Sequence, residues 1–513
     1  MSVSGISNSG VASVLLNASI TRDKPANAVA SLAATTIRGA TAAFSHVDSA
    51  STNASWTTLG GVVEAKVVYA KPLAVYSFDM AWASSPTDNT SALMQKNIKG
   101  NSTASWNASS LLDGLGAKLL DRFSTTQSDF SQTVAIFLQD SSKSPDVARA
   151  ASAQALTAAK VAPNSIDFTI ATISGKKVKI SISFGGDGDT ITNTLSIDVQ
   201  VEGVLTADEQ KAVAQLSEGF EAALDGLGKV PPTVDLSGLI GYDASVLSGV
   251  DLSVRETPRL NSELRSFNFH ANATQRSFSM ESIGGKVAVN VDLSQPEILG
   301  TAVQQKEALN DYLSRFDAAN QRGHGDSKLI AQFKTAFSQL NSNYPVADEL
   351  SVPRLYGKDR SVLSGLADFK VSMSGDFTDA AEGRVTTEEG HIEYRASQST
   401  KILGRDKYSG LTLTQTQSAS LKSDFVKSRN GAMLDTSTGN YDTYSIGDES
   451  STTTSFTYAK DKLKSASIQR LVKQFEHYQK LVDHKVVEQR DTPRNEATLL
   501  DISAKLLPSY KEN

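Results

Sequence analysis

At 513 residues the chain exceeds the length over which one hydrophobic core keeps growing, so about 150 residues per unit leads us to expect two to four units. Its apolar share of 39% and net charge of −6 describe a folded protein without a strong field of either sign, so nucleic acid is not the expected partner. Cysteine is absent, which excludes disulfides, thiolate metal sites and cysteine nucleophiles together.

The first hundred residues are rich in Ser, Thr, Ala and Asn. Residues 1–21 lack a basic start and carry only a short apolar run, 11–16, which does not read as a conventional signal peptide. No stretch approaches the roughly 18 apolar residues of a membrane-spanning helix, so we expect no transmembrane segment. The compartment stays open between the cytoplasm and a secreted or surface location reached without such a signal. Pro25 and the Ala-rich residues to Ile37 suggest a helix, and 62–82 two paired strands broken at Pro72. The polar stretch 84–110 reads as a surface loop, and 111–123 as a helix.

Ser144 and Pro145 open a helix that Pro163 closes. The following stretch has the clearest pattern in the chain. Ile166, Phe168 and Ile170, then Val178, Ile180, Ile182 and Phe184, then Ile191, Leu195, Ile197, Val199 and Val201 alternate with polar residues. A period of two means one buried and one wet face, and the short glycine-bearing connections suit antiparallel hairpins. Thr206 with Glu209 has the form of a capping box for a helix carrying Val213, Leu216, Phe220, Leu224 and Leu227. The sequence therefore predicts a meander with a covering helix.

Residues 230–258 look like a linker. After it, 266–293 reads as a strand pair, and 296–321 and 327–341 as a helical hairpin around Gly323-His324-Gly325. Alternation returns in 392–402, 411–425 and 441–458, all rich in Thr and Ser, as suits antiparallel strands with one wet face. Leu471, Phe475, Tyr478 and Val482 fall at helical spacing, so 461–488 is expected to be helical, with a shorter helix over 496–507 and a solvated helix end at 485–494.

These elements define an α+β, multi-domain chain of antiparallel meanders each followed by helices, with a Thr/Ser-rich antiparallel sheet in the C-terminal third. The expected divisions are 1–110, with a strand pair; 111–257, helices, a three-stranded meander and its covering helix; 258–350, a strand pair and helical hairpin; and 351–513, a sheet with C-terminal helices.

Candidate chemistry is sparse. Gly185-Gly186-Asp187-Gly188-Asp189-Thr190 resembles one copy of a calcium-binding nonapeptide, but such sites need stacked copies, and a hairpin turn accounts for the same residues. The histidines, His46, His270, His324, His391, His477 and His484, are scattered; the last two would share a helix face without the spacing of a zinc pair. Asp376, Asp379, Glu382, Glu388, Glu389 and Glu393 form an acidic neighbourhood that would serve hydrolysis only if the fold paired two of them about 5–9 Å apart. Asn17, Asn53, Asn89, Asn101, Asn107 and Asn272 begin Asn-x-Ser/Thr triplets, which the high Ser and Thr content explains. No P-loop, Gly-x-Ser-x-Gly or dinucleotide pattern stands between a strand and a helix. We expect no cofactor and no metal, and identify no catalytic residue.

The expectation is a non-catalytic bacterial protein that binds a protein or surface ligand, or assembles, through its sheet surfaces. Two alternatives accompany it: a hydrolase whose carboxylates meet in a cleft, and a self-assembling structural subunit. The oligomeric state is open.

Overall fold

The computed structural model describes residues 76–101, 108–140, 143–186, 191–227, 229, 231–233, 235–257, 263–344, 355–381 and 385–506. All belong to one unit, Lys71–Asn513. The helix expected after Pro25, the strand run ahead of Tyr76 and the 187–190 part of the glycine-rich turn lie outside them, as do His46, Glu382, Asn17, Asn53 and Asn107.

The strands are β1 (Tyr76–Trp82), β2 (Phe130–Asp140), β3 (Asn164–Thr172), β4 (Lys177–Gly185), β5 (Ile191–Glu202), β6 (Leu247–Arg255), β7 (Leu264–Asn272), β8 (Gln275–Ser282), β9 (Gly285–Asp292), β10 (Asp368–Ala381), β11 (Val385–Asp406), β12 (Gly410–Lys427), β13 (Asp442–Ala459), β14 (Lys462–Val482), β15 (Lys485–Asp491) and β16 (Arg494–Asp501). They form one sheet in the order β1-β2-β5-β4-β3-β6 and then consecutively to β15, with β16 also on β14, and each strand pair is antiparallel. The α+β architecture and the antiparallel C-terminal sheet expected from the sequence are both present. The sheet runs through the expected division at 257/258, which falls between β6 and β7, while 110/111 falls inside a short helix.

The helices are α1 (Asn89–Gly100), α2 (Ala108–Leu112), α3 (Leu115–Asp121), α4 (Pro145–Lys160), α5 (Ala207–Ala214), α6 (Ser217–Leu227), α7 (Ser237–Ile240), α8 (Ala302–Arg322), α9 (Ser327–Leu340), α10 (Gly357–Arg360) and α11 (Ser503–Leu506). Side-chain caps start several of them. The Asp88 carboxylate accepts from the Thr90 and Ser91 N–H groups, and Thr206 with Glu209 completes the capping box that opens α5.

Alternation decides where the core lies. Phe168 on β3, Ile180 on β4, Leu252 on β6, Phe278 on β8, Val289 on β9 and Phe369 on β10 all face one side, where Phe220 of α6, Phe316 of α8 and Phe333 and Phe337 of α9 meet them in a continuous core. A smaller core under α10 and α11 gathers Leu411, Leu413, Phe456 and Ile502. Only α4, among the described helices, sits on the opposite face, over Ala81, Ala135 and Phe137 of β1 and β2 and reaching β5 and β4.

Several expectations need correction. The loop expected over 84–110 contains α1, which buries Met94 and Ile98 and packs Leu93 against the core; Asn97, also buried, donates to the Leu111 and Asp113 carbonyls. The linker at 230–258 contains β6, and the strand pair at 266–293 is three strands. The largest departure is at the C-terminus. The helix expected over 461–488 is β14 with the start of β15, and the one over 496–507 is β16 with a single turn of helix. The spacing of Leu471, Phe475, Tyr478 and Val482 fits a helix stripe, but as a strand it splits them, odd residues on one face and even on the other. Tertiary context overrides it: two-residue turns at Lys460–Asp461 and Asp483–His484, all four residues at positive φ, fold β14 back on β13 and β15 back on β14.

Candidate functional site

The face of the sheet away from α8 and α9 is built from rungs of directly opposed residues. One rung runs Asp198, Ser181, Asp167, Ser253, Asn268, Ser279, Ala288, Ser372, Arg395, Ser420, Glu449, Lys473 across β5-β4-β3 and β6 to β14. The next rung passes through Asp251, His270, Ser277, Asn290, Lys370, Ser397, Ser418, Ser451 and Leu471. The polar half of each alternating strand therefore becomes a continuous polar surface. Its groups bond laterally: Ser181 Oγ donates to Asp167 at 2.8 Å, Ser253 Oγ to Asn268 at 2.9 Å, and Asn268 Nδ2 to Ser279 Oγ at 3.3 Å.

The surface is hollowed in two adjoining places. A concavity of about 680 Å³ has Ser397, Ser418, Ser420 and Ser451 as its floor, with Lys370, Arg395, Glu449 and Lys473 around it. A second, of about 310 Å³, lies over Asp167, Asp251, Ser253, Asn268 and Ser279, and both are lined by Ala288 and Asn290. Small side chains make this possible, since serine and alanine leave the pleated backbone uncovered. Arg395 reaches Glu393 at 3.4 Å, whereas Lys370 and Lys473 form no ion pair with another described residue.

A repeated device marks this face. His270 and Asp251, His391 and Asp376, and His477 and Asp491 are each directly opposed across adjacent strands, and each imidazole Nδ1 lies 2.6 Å from the aspartate. The ring orientation is thereby fixed. The sequence singled out these histidines and Asp376 but not Asp251 or Asp491, because the partners come from neighbouring strands.

The covered face holds a further titratable cluster. His324, at φ 58° in the turn between α8 and α9, lies 2.6 Å from the buried Glu388 through Nδ1, and Lys427 Nζ is 2.9 Å from the same carboxylate. The His324 ring stacks on Phe425 at 4.3 Å. Beside it a groove of two adjoining cavities, about 610 and 480 Å³, runs between α8 and the β12–β14 strands, with Arg322 lining both. Arg322 grips Asp448 at 2.6 and 3.2 Å, and this carboxylate holds its guanidinium above the usual arginine range. Burial pushes the Tyr394 hydroxyl up to about 12.

The acidic neighbourhood is thus divided. Asp376, Glu389 and Glu393 point to the open face and Asp379 and Glu388 to the covered one. Glu388 is committed to His324 and Lys427, and Asp376 to His391. His477 and His484 do not share a helix: His477 is on β14, and His484 sits in the β14–β15 turn at φ 62° with Nε2 3.1 Å from the Ser437 carbonyl. Among the described residues one acidic trio, Asp113, Glu221 and Asp225, comes within metal-binding distance of itself. Glu221 already accepts the Gly114 and Ala117 N–H groups, which is a structural task.

No protein-family model, curated protein or solved structure matches this chain. No described helix is long and apolar enough to cross a membrane.

Proposed function

We propose that this protein is a non-catalytic binding protein that receives a polar macromolecular partner, a protein or a polymer at a cell surface, along the open face of its sheet. One observation carries this reading: two adjoining concavities lie on a face made of serine, asparagine and ionic groups, over which no described helix other than α4 packs. A wide surface of closely spaced donors and acceptors suits many weak polar contacts over a large area. Asp167 and Asp251 line one concavity and Lys370, Arg395 and Lys473 the other, so the face carries both signs of charge, which favours a partner of mixed polarity over a uniformly charged one such as nucleic acid. The complete absence of cysteine supports placing this binding outside a bacterial cell, where thiols mispair.

The test is a pair of variants that fill the concavities without touching the core, Ser279→Arg and Ser420→Trp. Immobilised protein should retain a partner from a surface extract of the source cells, and both variants should lose it while keeping the parent melting temperature. Equal retention by parent and variants, or retention by neither, contradicts the proposal.

A further inference from the structure

β15 and β16 are two pieces of one edge strand. The pairs His477 with Asp491 and Gln474 with Arg494 keep a single register along β14, and Thr492 joins them. Its N–H donates to the Glu476 carbonyl at 2.9 Å, and its carbonyl accepts the Glu476 N–H at 3.3 Å. That reciprocal pair sets the direction of every neighbouring backbone group. Even-numbered residues from 488 to 500 turn their N–H and C=O toward β14, whereas Gln489, Asp491, Asn495, Ala497 and Leu499 turn theirs outward. Pro493 falls in the outward set.

Two copies of this edge, laid antiparallel with Pro493 on the two-fold axis, match each other. Arg490 comes opposite Glu496, Asp491 opposite Asn495, Gln489 opposite Ala497 and Glu488 opposite Thr498. In each pair the two numbers share parity, so the residues share a face, and no like charges meet. Symmetry doubles every pair and closes the contact as a dimer. The side chains involved are exposed and free to rearrange: Arg490 lies 5.3 Å over the Tyr478 ring and Glu496 bridges Arg494. Such a length of unpaired, exposed strand is a template for another chain. At its centre, however, proline has no N–H to donate, and its ring projects where the partner's backbone would approach.

We propose that Pro493 keeps this self-complementary edge from pairing with a second copy of the chain, leaving the outermost strand free. This inference is independent of what the open face binds. The absence of cysteine gives a clean reporter. Glu488 and Thr498 would be a non-hydrogen-bonded pair across the dimer, with Cα atoms about 4.5 Å apart, within disulfide reach. Within one copy they lie roughly 30 Å apart along the strand, so any bridge is intermolecular.

The experiment compares E488C/T498C with E488C/T498C/P493V under mild oxidation, alongside the light-scattering mass of P493V. The valine chain should form a covalent dimer and double its mass, and the proline chain should do neither. In the valine background R490E should reduce dimer yield and R490E/E496R should restore it. Pro493→Thr serves as the second substitution if valine impairs folding, judged by the far-ultraviolet circular dichroism melt. Equal cross-linking with and without Pro493, or none in either folded replacement, overturns the proposal.

Discussion

Replacing Phe220 by alanine tests the packing of α6 on the meander. Phe220 is fully buried, and its ring stacks on Phe168 of β3 with centroids 4.4 Å apart and planes 14° from parallel. Truncating a buried phenylalanine to alanine in a core that cannot collapse costs about 3–5 kcal/mol. Both ends of this contact are held, Phe168 by ladders to β4 and β6, and Phe220 by a helix that also buries Ala223 and Leu224. We therefore expect the upper half of that range. On the other face of the same strand, Thr169→Ala should change stability by no more than about 0.5 kcal/mol. Urea unfolding followed by circular dichroism reads both, and a Phe168→Leu, Phe220→Leu double-mutant cycle should give a coupling of about 0.5–1.5 kcal/mol. A loss below about 1 kcal/mol for Phe220→Ala, or an equal loss for Thr169→Ala, would refute the reasoning.

Other consequences follow from single contacts. Gly219 of α6 and Gly238 of α7 touch backbone to backbone: a Cβ on Gly219 would lie 2.7 Å from the Gly238 carbonyl carbon, so Gly219→Ala should cost about 1–3 kcal/mol in a thermal or urea melt. The fully buried Asp359 holds Lys407 at 2.7 Å and Tyr458 at 2.9 Å, and Asp359→Ala, which leaves the lysine unpaired, should cost about 3–5 kcal/mol by the same measurement. Glu209 is held at about 2, below its ordinary 4.5, first by the Ser174 hydroxyl, then by the Thr206 N–H and by Lys176. Because the folded value is depressed, its stabilisation is complete above pH 4.5 and disappears as pH falls toward 2, so Glu209→Gln should flatten stability against pH across that window.

The meander over 166–202 was legible because one face is fully buried and the other wet, and Thr206 with Glu209 marked the next helix by its own chemistry. The strands β11 to β13 were legible in the same way, but β14, β15 and β16 were not. On β14 neither face is deeply buried, so Leu471, Phe475 and Tyr478 carry no period of two, and the turns that return the chain contain Lys460, Asp461, Asp483 and His484 in place of glycine. α1 escaped notice because Thr90, Ser91 and Asn97 share its buried stripe with Met94 and Ile98. The open face was half visible: the Ser- and Thr-bearing parity was plain, but its rungs, the His–Asp pairs and the grouping of Lys370, Arg395 and Lys473 depend on register between strands distant in sequence.

Everything above depends on a sheet with one covered and one open face. A cysteine scan with a maleimide probe tests this directly, since the parent chain has nothing to label. On β8, Ser277→Cys and Ser279→Cys should react rapidly while Phe278→Cys and Met280→Cys stay protected; on β4, Lys179→Cys and Ser181→Cys should react and Ile180→Cys and Ile182→Cys should not. Protection of both parities, as a second layer over the face would give, or labelling of both, would contradict the account.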